Sequence, residues 1–173
     1  LIETLTTLVQ PPENPVNTGS ASGWDSVITE IEQDLPYELF LLSSTYGSGQ
    51  FVQGDFWIEI HSVFRPGFAL MVEFNRRVFQ QEAVRSPDPY AHLFELGAYS
   101  FGGEQGSMGQ IFWDTSGEIE NWKIGLSRPL QRFSFSLMNF LSELFSNRIK
   151  PKGFPDGFDA ITFVPWEPSD DSE

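Results

Sequence analysis

Trp24-Asp25-Ser26-Val27, Leu35-Pro36 and Tyr46-Gly47-Ser48-Gly49-Gln50-Phe51 follow one another in the first third of the chain, and their reading decides the fold. Trp24, Val27, Ile28 and Ile31 recur at i, i+3, i+4 and i+7, the spacing of one apolar helix face. Ser22 is the N-cap candidate, with Asp25 in the first turn. Pro36 suits the first position of a second helix, where its missing N–H has no intrahelical partner to lose. Leu39, Leu42 and Tyr46 continue that helix on its buried side, and Gly47 ends it. Gly47 and Gly49 supply the permissive backbone for a tight reversal into a strand at Phe51.

Upstream, Gln10-Pro11-Pro12-Glu13-Asn14-Pro15 and Asn17-Thr18-Gly19-Ser20 make residues 1–21 a proline-rich arm, because proline removes donors and blocks helix continuation. Downstream, Phe56, Ile58 and Ile60 alternate with Trp57, Glu59 and His61, a strand with one face buried. After Arg65-Pro66-Gly67, a third helix is marked by Phe68, Met71, Val72, Val78 and Phe79, with Glu73 and Arg77 as an i, i+4 ion pair. Ser86-Pro87-Asp88-Pro89 stops it. Short strands around Leu93 to Phe101, Gln110 to Trp113 and Trp122 to Leu126 predict an antiparallel meander, the last two joined across Asp114-Thr115-Ser116-Gly117. Leu137, Phe140, Leu141, Leu144 and Phe145 form the cleanest helical stripe, with Ser134 or Ser136 as cap and Arg148 and Lys150 complementing the C-terminal dipole. An edge strand is expected at Ile161 to Val164. The organisation expected is an arm (1–21), one α+β domain (22–166) and a disordered acidic tail (167–173).

With 173 residues, 17 Phe and 5 Trp, the chain has material for one core and is expected to fold alone. It has no cysteine, which excludes disulfides and thiolate chemistry and suits a reducing compartment; no apolar run approaches a membrane span, so the expected location is the cytoplasm. The net charge of −14 is segregated: residues 1–64 hold nine acids and no Lys or Arg, and the ten bases all fall within residues 65–152. A surface of this kind repels nucleic acid and anionic membrane, and a basic protein is the partner it fits.

Sites for chemistry are weakly signalled. Gly102-Gly103-Glu104-Gln105-Gly106-Ser107-Met108-Gly109 is followed by a strand, Ile111-Phe112-Trp113, and lacks lysine, whereas a phosphate cradle needs a helix at that point. His61 and His92 are the only imidazoles; Glu59 beside His61 would start a metal site that has no further clustered ligands. No Gly-x-Ser-x-Gly elbow is present, and a carboxylate pair such as Asp114 with Glu118 is commonplace among 24 acids. Trp57, Trp113 and Trp122 read as sheet packing rather than as a stacking platform. Nothing in these residues compels chemistry, and no catalytic, metal or cofactor residue is expected.

The ordered pieces resemble the SUKH superfamily, which includes the fungal cell-wall-synthesis regulator and many bacterial toxin-immunity proteins. The pieces are Pro11, Pro12 and Pro15, Trp24, Leu35-Pro36, Tyr46-Gly47-x-Gly49-x-Phe51, the strand ending near Phe64, Ile111-Phe112-Trp113, Gly117, Trp122, Phe140-Leu141 and Phe154-Pro155. The chain departs from its relatives with Gln110 after Gly109, where they often carry an acid, and with Leu39, where they often carry Tyr after Leu-Pro. The resemblance implies an antiparallel sheet flanked by helices, a binding protein rather than an enzyme, and the neutralisation of a cognate protein toxin, often a nuclease. Glu30, Asp34, Glu38, Asp55 and Glu59 are the candidate partner-binding acids. The other reading is a regulatory or scaffold SUKH domain that binds a host protein.

Overall fold

The computed structural model describes residues 2–32, 34–85, 93–103, 106–114 and 117–167. Five helices are described: α1 (Ile2–Leu8), α2 (Ala21–Ile31), α3 (Tyr37–Tyr46), α4 (Phe68–Arg85) and α5 (Leu137–Phe145). Seven strands, β1 (Gly49–Gln53), β2 (Phe56–Ile60), β3 (Leu93–Gly103), β4 (Gly106–Asp114), β5 (Lys123–Ser127), β6 (Leu130–Arg132) and β7 (Thr162–Pro165), form one sheet in the order β6-β5-β4-β3-β2-β1-β7. Every pairing between these strands is antiparallel, so the fold is α+β with the expected meander from β3 to β5, which the short strand β6 extends, and the expected edge strand, β7, beside β1.

Alternation along the strands builds the core. Phe56, Ile58 and Ile60 of β2 are buried and share a face with Phe51, Phe101, Trp113, Ile124 and Phe163. Phe51 is an aromatic hub, with Tyr46 of α3, Phe145 of α5 and Phe163 of β7 at ring-centroid distances of 5.2, 5.0 and 4.9 Å. The tilted and edge-on arrangements set ring edges against ring faces, which adds to the stabilisation from burial. Trp113 and Trp122 are core residues. Trp57 lies on the outer face across Gly102, where a Cβ would come within 2.5 Å of the indole.

The two turn glycines have tertiary as well as local reasons. Gly47 caps α3 at φ 70°, and a Cβ there would stand 2.1 Å from the Val16 carbonyl oxygen. A Cβ at Gly49 would meet the Val164 carbonyl oxygen at 2.4 Å, because β7 pairs tightly at this point. Around this turn the buried serines act as brackets. The Ser62 amide donates to Ser48 Oγ and the Val63 amide to Ser43 Oγ, each at 3.1 Å, and the Ser62 hydroxyl donates to the Asn17 carbonyl at 2.6 Å.

Three local expectations are corrected. Residues 1–21 are not an irregular arm throughout: α1 packs on α5 and α3, Leu5 and Val9 are buried, and the Tyr46 hydroxyl donates to the Val9 carbonyl at 2.6 Å. The prolines end this helix rather than prevent it. The cap of α2 is Ser20, whose Oγ accepts from the Gly23 amide, so the helix begins one residue before Ser22. Ser136 occupies the N-cap position of α5 without a side-chain cap bond; Glu38 supplies the acceptors from the first turn of α3. The acidic end beyond Glu167, Thr115 and Ser116 of the turn, Ser86 to Pro89, His92, and Glu104 and Gln105 of the glycine-rich stretch lie outside the described residues, as do the side chains of Val78 and Phe79.

Candidate partner-binding surface

Of the five acids singled out, Glu30, Asp34 and Asp55 are exposed, at the last turn of α2, in the connection to α3 and at the β1–β2 turn. Glu38 has a different task. Its Oε1 and Oε2 accept from the amides of Leu137 and Met138 at 2.9 and 3.0 Å, placing a negative charge where the α5 dipole is positive. Glu59 projects from the outer face of the sheet and accepts from Gln50 Nε2 at 3.3 Å. The structure thus brings Glu30 and Asp34 to one helix end, sets Asp55 and Glu59 on the β1–β2 hairpin, and removes Glu38 from the open set.

Beside Glu59 stands a polar cluster on the outer sheet face. Arg65 Nη1 lies 2.6 Å from His61 Nδ1, and since guanidinium only donates, Nδ1 accepts and the ring proton sits on Nε2. Burial and the Arg65 charge push the His61 pKa down to about 4. Arg65 also lies 5.2 Å from the Trp166 ring centre. A guanidinium on the imidazole nitrogen opposes cation binding there, and among the described residues no cluster of His, Cys, Asp or Glu is arranged to hold a metal. The carboxylate considered for acid–base work with Glu118, that of Asp114, lies 3.4 Å from Arg132 Nη1.

Concavities adjoin the acidic helices in several places, one of about 330 Å³ lying between Gly23, Val27 and Glu30 of α2 and the segment from Val63 to Ala69, Arg65 included. A cleft of about 470 Å³ opens between Leu35-Pro36-Tyr37-Glu38, the Ile119–Lys123 segment and Ser134, Ser136 and Asn139, with Trp122 in its wall. A smaller groove of about 260 Å³ runs between the end of α2 and α4, lined by Glu30, Glu32 and Glu73 and by Ile31, Ala69, Leu70 and Val72. Leu70 and Phe74 on α4 are 71% and 66% exposed, and sequence reading missed them. Their signal was a second apolar pair at i, i+4, offset from the Phe68, Met71, Val72 stripe. Among the described residues no helix is long and apolar enough to cross a membrane. Comparison with models of protein families, with curated proteins and with solved structures finds no match to this chain.

Proposed function

We propose that this chain is a non-catalytic immunity protein of the SUKH kind, which works in the cytoplasm by binding a basic protein toxin, of nuclease type, and blocking its substrate channel. The observation that carries the reading is charge segregation: the segment forming α1 to α3 and the β1–β2 hairpin holds nine acids and no base. The α+β architecture, an antiparallel sheet with helices, is the one the resemblance implies. Glu30, Asp34, Asp55 and Glu59 are the acids that face a partner, and Glu38 holds α5 in place. A negative field of this kind speeds encounter with a cationic surface and fixes its orientation.

The test is co-expression with the product of the adjacent open reading frame, with calorimetry at two salt concentrations. Salt-sensitive binding together with rescued growth is the expected result. A chain that binds no neighbouring product would instead be a regulatory or scaffold domain for a host protein.

A further inference from the structure

We infer that the ridge of α4 carrying Leu70 and Phe74, with the groove beside it, is the docking surface for a basic amphipathic helix of the partner; this inference rests on the binding role proposed above. Leu70, Glu73, Phe74 and Arg77 fall at i, i+3, i+4 and i+7, so they form one outward stripe on α4. The opposite side of the helix is anchored by Phe68 and Val72, which are buried. Two large apolar side chains left side by side on a firmly seated helix make the patch a contact surface rather than a loose end.

Charge decides the occupant. The groove next to Leu70 is rimmed by Glu30, Glu32 and Glu73, with no cation among its described lining residues. Glu73 pairs with Arg77 farther along the stripe. Arg65, in the turn before α4, is engaged with His61 and Trp166. An apolar ridge with an acidic border complements a helix that has apolar side chains along one seam and Lys or Arg on its flanks. A second copy of the chain fits poorly, because a two-fold contact would set one acidic border against the other.

The probe is a fluorescent 18-residue leucine–lysine peptide with its leucines on one helical face, titrated at two salt concentrations; its control has serine in place of every leucine. The parent protein is expected to bind the leucine peptide and not the control. The double variant Leu70→Ser/Phe74→Ser should weaken binding by about tenfold or more, since buried apolar anchors dominate such interfaces. Phe74→Lys should weaken it further, and Glu30→Gln/Glu32→Gln/Glu73→Gln should flatten the salt dependence. Circular dichroism keeps loss of fold apart from loss of binding. Equal binding by parent and double variant, equal binding of both peptides, or no binding at all would overturn the inference. So would a parent that dimerises in sedimentation while the double variant does not, because a second copy would then cover the ridge. The two proposals fail separately. A toxin neutralised equally by parent and double variant removes this docking surface and leaves the immunity reading standing, whereas peptide capture as expected with no neighbouring toxin bound does the reverse.

Discussion

Glu38 shows how one side chain can carry a structural role that its neighbours in sequence do not announce. Its two oxygens meet the first free amides of α5, a helix 99 residues away, and supply the cap that Ser136 does not. Glu38→Ala should cost about 2 kcal/mol, measured by urea unfolding, because two amides lose a charged acceptor at a helix N-terminus. His61 gives a pH signature. Its folded-state pKa of about 4 lies below the ordinary 6.5, so the unfolded chain takes up the proton first as pH falls. This contribution to stability is fully present above pH 6.5 and is lost as pH drops towards 4, by about 3 kcal/mol at most. His61→Asn keeps an acceptor for Arg65 and removes the titration; its unfolding free energy relative to the parent should therefore rise between those pH values. A constant difference would mean that His61 titrates normally.

At the scale of elements, α5 and α1 are opposites. α5 declares itself through five apolar residues on one stripe, all buried in the structure. α1 has seven residues, too few to hold helix structure alone, and it exists because α5 and α3 give Leu5 and Val9 somewhere to be buried. Leu5→Ala should destabilise the whole domain by about 3 kcal/mol, a full core cavity, rather than fray an arm at no cost. Thermal unfolding followed by circular dichroism would show which. α4 matches its expected start at Phe68 and its Glu73–Arg77 pair, yet its exposed Leu70 becomes meaningful only beside the acids at the end of α2.

For the molecule as a whole, the charge imbalance acts on encounter more than on folding. Lysine at Glu30, Asp34 and Asp55 should slow association with a basic partner by about tenfold at low salt and flatten the salt dependence, readable by stopped-flow. An unchanged rate would count against an acidic docking field. The sequence alone determined the α+β class, the helices from Trp24 and Pro36 onward, the alternation of β2, the meander and the stripe of α5, because period and turn chemistry are local properties of the chain. It also determined the segregation of charge. Only the tertiary structure decided that the proline-bearing lead-in enters the core, that Gly49 is required by the approach of β7, and that Glu38 caps α5. It likewise decided that Leu70 shares a groove with Glu30 and Glu32. Each of these is a contact between segments distant in sequence, and no periodicity encodes which distant partner a side chain will meet.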